Sequence, residues 1–126
     1  MLVIGNTDSP LFPSELIPYT KRVTLGQGLI NVNFLVNYGW EWDLNHSLED
    51  RSLGNKKLSQ RIASSDISRI DLIIRWGDRR RLSGFLPVQS IYADFYVLDK
   101  MWPDFSPDDL YQALDWYQNQ DVTLGG

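Results

Sequence analysis

The chain has 126 residues, five of them Trp, with 43% hydrophobic and 13% aromatic residues and a net charge of −4. That apolar content excludes intrinsic disorder, and the length suits a single domain, residues 1–126, able to bury a core without metal or disulfide help. The lack of cysteine excludes disulfides, cysteine-based zinc sites, iron–sulfur clusters and thiol catalysis.

The apolar opening Leu2-Val3-Ile4 is too short for a signal-peptide core, and no run approaches the ~20 residues that span a bilayer, so a soluble cytoplasmic protein without a membrane partner is expected. Charge is uneven. Residues 1–90 hold 11 basic and 9 acidic side chains (+2), whereas residues 91–126 set Lys100 against seven aspartates (−6).

Pro10, Pro13 and Pro18 argue against a regular helix in residues 1–20 and for an extended apolar arm carrying Phe12 and Tyr19. Residues 21–88 read as mainly β. Residues 30–44 place Ile30, Val32, Phe34, Val36, Tyr38, Trp40, Trp42 and Leu44 at every second position, which gives a strand one apolar face. Gly39 is its expected bend, and residues 22–25 its hairpin partner across Gly26-Gln27-Gly28. An exposed loop over 47–55 and a short helix over 56–64 follow. Ile70, Leu72, Ile74 and Trp76 alternate again. Gly77-Asp78 then suits a tight turn into a return strand over 79–87, completing a second hairpin.

Over 89–119 two helices are expected. Ile91, Phe95, Leu98 and Trp102 fall at helical spacing behind Ser90, and Pro103 stops that run. Ser106-Pro107-Asp108-Asp109 is a helix start: a capping hydroxyl, Pro at the first position, and acids against the dipole. Leu110, Ala113, Leu114 and Tyr117 form its apolar stripe, and residues 120–126 are a tail. The fold class expected is therefore α+β: an antiparallel sheet of about four strands in two hairpins, with a C-terminal helix-turn-helix pair packed on it.

No catalytic signature stands out. His46 is the one histidine, on a polar stretch with no ligand set or nucleophile around it, and no phosphate-binding glycine loop or nucleophile elbow occurs. No metal and no cofactor are expected. Arg75, Arg79, Arg80 and Arg81 with Trp76 form the one dense basic group, which could contact phosphates or nucleic acid by charge and stacking, and equally an acidic protein surface or the domain's own aspartates. Phe12, Tyr19, Tyr38, Trp40 and Trp42, with the acids Asp104, Asp108 and Asp109, are the candidates for a protein interface. The run 103–117 resembles the tail of some short antitoxin-like bacterial proteins, but Asp108, Asp109 and Asp115 would repel DNA phosphates.

By elimination, the sequence points to a non-catalytic protein-interaction component: a small subunit of a larger assembly, or an acidic inhibitor or immunity-type protein, with another protein as partner. A nucleic-acid-associated subunit using the arginine group is the alternative, and a carboxylate-based enzyme the second.

Overall fold

A computed structural model describes residues 1–49 and 55–121. The chain forms two compact units, Met1–Ile67 and Ser68–Gly126. Most of the loop expected over 47–55, and most of the tail expected over 120–126, lie outside the described residues.

In the first unit, β1 (Leu2–Ile4) pairs with β2 (Asn33–Leu35) in parallel, Leu2 facing Asn33 and Ile4 facing Leu35. A 3-10 helix at Ser14–Tyr19 lies in the connection between them. β1 is the centre of this unit's core: all three of its residues are buried, together with Phe12 and Ile62. Gly5, directly after it, passes so close to the next strand's continuation that a Cβ would collide with the Val36 carbonyl oxygen. The Val36 N–H donates to the Ile4 carbonyl (3.0 Å) at that crossing.

Helix α1 then runs over Trp40–Glu49. Its first turn holds Glu41 and Asp43, which favour the positive end of the helix dipole. Its inward face is polar. Asp43 is 1% and Ser47 4% exposed, one turn apart, whereas Trp40 is 46% exposed. The Asp43 carboxylate accepts from the Tyr38 hydroxyl (2.7 Å), the Ser64 N–H (2.7 Å) and the Ser64 hydroxyl (2.6 Å), and the Asp43 carbonyl from the Ala63 N–H (3.2 Å). Buried polar groups need such partners, and these bonds hold α1 to residues 63–64.

In the second unit, β3 (Leu72–Arg75) and β4 (Asp94–Val97) are also parallel, Leu72 facing Asp94 and Arg75 facing Val97. A 3-10 turn at Trp102–Asp104 leads to α2, Pro107–Gln118. α2 begins where its local signals place it: Ser106 caps it, Pro107 opens it, and the Asp109 carboxylate accepts from the Ser106 N–H (2.7 Å) and hydroxyl (3.0 Å). It packs on β4, with the Tyr96 and Trp116 rings 5.2 Å apart and Ala113 fully buried.

The antiparallel four-strand sheet is therefore corrected to two parallel pairs of short strands. Neither hairpin forms. Residues 36–44 leave the extended state because Asn37 turns to a φ of +50° and α1 starts at Trp40, so the long alternation joins two elements of different type. Residues 79–88 are loop, and β3 finds its partner in 94–97, where the first of the paired helices was expected. The consecutive Phe95-Tyr96-Val97 suit a covered strand, and their helical spacing with Ile91 and Trp102 is incidental, since both of those side chains are exposed. The helix expected over 56–64 is reduced to a 3-10 turn at Leu58–Gln60. Among the described residues no helix is long and apolar enough to cross a membrane.

Candidate functional site

Parallel pairing puts the ends of β3 and β4 at one carboxyl edge, the edge at which open α/β sheets bind ligands. Arg75 is the last residue of β3, and residues 76–86 form a loop beyond it. Its Nη2 donates to the Ser83 hydroxyl across that loop (3.4 Å). Arg79, Arg80 and Arg81 are exposed on the intervening turn. Arg80 meets Asp78 at 3.6 Å, but both side chains are well exposed, so this pair contributes little. Among the described residues no carboxylate lies within ion-pair distance of Arg75, Arg79 or Arg81.

The loop is bent by unusual backbone. Gly77 and Gly84 have φ of +76° and +77°, and Asp78, Ser83 and Leu86 have φ of +50°, +52° and +37°. Each non-glycine in this region costs about 1–3 kcal/mol and persists only where its surroundings over-determine it. For Gly77 and Asp78 the surroundings are the turn after β4. The Asp78 N–H donates to the Leu98 carbonyl (2.9 Å) and the Gly77 N–H to the Lys100 carbonyl (3.0 Å).

Aromatic and apolar side chains flank the arginines. Trp76 packs edge-on to Trp102 (4.7 Å between ring centroids) and to Phe105 (5.6 Å). A cavity of about 310 Å³ opens beside Arg75, lined by Ile73, Ile74, Trp76, Leu82, Phe85 and Phe95. A cationic rim over an apolar pocket suits an anion with a hydrocarbon body. Among the described residues no group of acids and histidine is placed to hold a metal ion.

The interface candidates of the sequence are dispersed. Phe12 is buried in the first unit, Tyr19 and Trp42 are half-buried there, and Tyr38 is engaged by Asp43 with its ring edge-on to Trp42 at 6.3 Å. Trp40 is exposed on α1, as is His46. In the second unit Asp104 and Asp108 are exposed, whereas Asp109 is buried and ion-paired to Lys100 at 2.7 Å. Two residues escaped the sequence reading: Ser83, which carries no signal beyond its place before Gly84, and Lys100, noticed there only as a lone cation.

Residues 2–125 match the family described as "Putative undecaprenyl diphosphate synthase". The chain belongs to this family. Over 98% of its length it is 30% identical to the ditrans,polycis-undecaprenyl-diphosphate synthase ((2E,6E)-farnesyl-diphosphate specific) of Escherichia coli K12, covering 54% of that protein. The enzyme of the same name from Buchnera aphidicola is also 30% identical over 98% of the chain, with 55% of its own length covered. A solved structure, a probable undecaprenyl diphosphate synthase from Campylobacter jejuni, superposes with a TM-score of 0.72 at 19% identity, over 98% of this chain and 62% of that one. The chain thus spans about half the length of the curated relatives it matches.

Membership in a synthase family overturns the expectation of a non-catalytic interaction component. The assembly-subunit and inhibitor readings, the protein or nucleic-acid partner, and the judgement against an enzyme fall with it. Elimination failed because it relied on local motifs (a nucleophile elbow, a histidine cluster, a glycine loop), and the chain belongs to a synthase family without showing any of them.

Proposed function

We propose that this chain carries a diphosphate-binding site of a prenyl-diphosphate synthase. Arg75, Arg79, Arg80, Arg81 and Ser83 take the diphosphate of an isoprenoid substrate, and the cavity beside Arg75 takes its hydrocarbon end. The observation that carries this reading is the bond from Arg75, at the carboxyl end of a parallel strand, to Ser83 across a loop of three further arginines. The farnesyl-diphosphate specificity in the relatives' names supports an isoprenoid diphosphate as the substrate class, with isopentenyl diphosphate as the second substrate. In prenyl transfer the allylic C–O bond breaks and inorganic diphosphate leaves with its electron pair. The alkene of the second substrate bonds to the allylic carbon and a proton is lost. Arginines stabilise diphosphate as bound substrate and as leaving group, by fork-shaped hydrogen bonds and charge. A cytoplasmic setting is part of the same proposal, and fractionation of host cells tests it.

The test is titration with isopentenyl diphosphate, inorganic diphosphate and inorganic sulfate, read by heat and by tryptophan fluorescence. The two diphosphates are expected to bind and to weaken as salt rises. Arg75→Ala or Arg81→Ala is expected to reduce affinity at least about tenfold, the scale of one charge-assisted hydrogen bond. Diphosphate binding no tighter than sulfate, or unchanged in both variants, removes the reading.

A further inference from the structure

We infer that Lys100 is a positioning residue for the arginine loop: its ion pair with Asp109 fixes the backbone from which residues 77–81 hang. That the loop binds diphosphate rests on the functional reading above; the positioning itself does not. The ladder between β3 and β4 closes with the Leu98 N–H donating to the Arg75 carbonyl (2.8 Å). Beyond that point the chain turns away through Gly77 and Asp78, both at positive φ, and those two residues bond to the carbonyls of Lys100 and Leu98. The arginines therefore sit where residues 98–100 put them.

Residues 98–101 belong to neither strand nor helix, so no ladder sets the direction of the Lys100 carbonyl. The side chain does. Its Nζ meets Asp109 Oδ1 at 2.7 Å, and the Asp109 side chain is 4% exposed. Asp109 Oδ2 is in turn held by the Ser106 N–H (2.7 Å) and hydroxyl (3.0 Å) at the start of α2. A continuous tether thus runs from α2 through Asp109 and Lys100 to Gly77 and the arginines. The hydrogen bond between them holds the Lys100 ammonium above and the Asp109 carboxyl below their ordinary pKa values, so both are charged at neutral pH. Gly77 itself holds a backbone state that L-residues rarely adopt, with a φ of +76°.

The test compares amide exchange and inorganic-diphosphate affinity in the full chain, wild type against Lys100→Met, Asp109→Asn and Lys100→Arg. Lys100→Met is expected to speed exchange at Gly77 and Asp78 about tenfold while the β3 and β4 amides keep their protection. Diphosphate affinity is expected to fall about tenfold. Lys100→Arg, which preserves the charge, is expected to return both to within about threefold of wild type. If Lys100→Met does not fold, Asp109→Asn gives the same exchange readout. Unchanged exchange at Gly77 and Asp78, or acceleration of all amides together, overturns the assignment. A wild-type chain that does not bind diphosphate refutes the functional reading alone, and the exchange pattern still decides the role of Lys100.

Discussion

The Asp43 carboxylate accepts both the backbone N–H and the hydroxyl of Ser64, at 2.7 and 2.6 Å, and all but 1% of the residue is hidden from water. With the Tyr38 hydroxyl as third donor, Asp43 is the point at which α1 is fixed to residues 63–64. Asp43→Ala removes the acceptor these three bonds share, at about 1–3 kcal/mol for each buried bond lost, for an expected total of about 3–5 kcal/mol. Ser64→Ala removes one hydroxyl and keeps the N–H bond, for about 1 kcal/mol. Urea midpoints of the two variants check the ordering, and near-equal losses would show that the network does not hold α1.

The same carboxylate explains why α1 was not legible in the sequence. An apolar stripe is the usual sign of a buried helix face, but here the buried positions are Asp43 and Ser47, and the large apolar Trp40 faces out. The alternation through Trp40 and Trp42 therefore passed for a strand. β1 was hidden for another reason: Leu2-Val3-Ile4 is only a three-residue strand, and its partner lies about thirty residues away across a proline-rich connection. Parallel pairing leaves no local turn signal, unlike the hairpins that Gly26-Gln27-Gly28 and Gly77-Asp78 imitate. α2 was legible because Ser106, Pro107 and Asp109 act within a single turn, and β3 because its run is rich in β-branched and apolar residues, although its one buried residue, Ile73, lies between the alternating positions Leu72 and Ile74. Of the candidate site, Arg75 and residues 79–81 were legible as a charge cluster, with Trp76 among them. Ser83 was not, since only the fold of the loop returns it to Arg75.

Gly5 is expected to be irreplaceable for a reason of space rather than flexibility. A methyl group there collides with the Val36 carbonyl oxygen, which belongs to backbone already bonded through its own N–H to Ile4. Gly5→Ala is expected to cost at least about 2 kcal/mol, the scale of overpacking that moves backbone. Gly39→Ala is the control: nothing lies near its Cβ position, so the change should stay within about 0.5 kcal/mol. Thermal melts of the two variants measure the contrast.

The Lys100–Asp109 pair gives stability a defined pH window. Hydrogen bonding to Lys100, then to the Ser106 backbone, lowers the Asp109 pKa below its ordinary 3.8, so its contribution is present above that value and is lost as pH falls through the folded pKa. Hydrogen bonding to Asp109 raises the Lys100 pKa above its ordinary 10.5, so that contribution is complete below 10.5 and is lost as pH rises through the folded value. The urea-midpoint difference between wild type and Lys100→Met is therefore expected to be flat from about pH 5 to pH 9 and to shrink below about pH 4. A difference that persists undiminished at pH 2 would assign the effect of the lysine to its stem and not to its charge.

Ser83 separates the shape of the arginine loop from its chemistry. Its φ of +52° is costly for serine and free for glycine, so Ser83→Gly should alter stability by no more than about 1 kcal/mol once the added chain entropy is offset. The hydroxyl that bonds Arg75 is lost in that variant and equally in Ser83→Ala, which keeps the backbone cost. Both are expected to bind inorganic diphosphate roughly tenfold more weakly than wild type, in line with loss of one hydrogen bond to a charged group. Weaker binding in both variants would locate the effect in the hydroxyl. Weaker binding in Ser83→Gly alone would locate it in loop rigidity, and wild-type affinity in both would leave the diphosphate to the arginines.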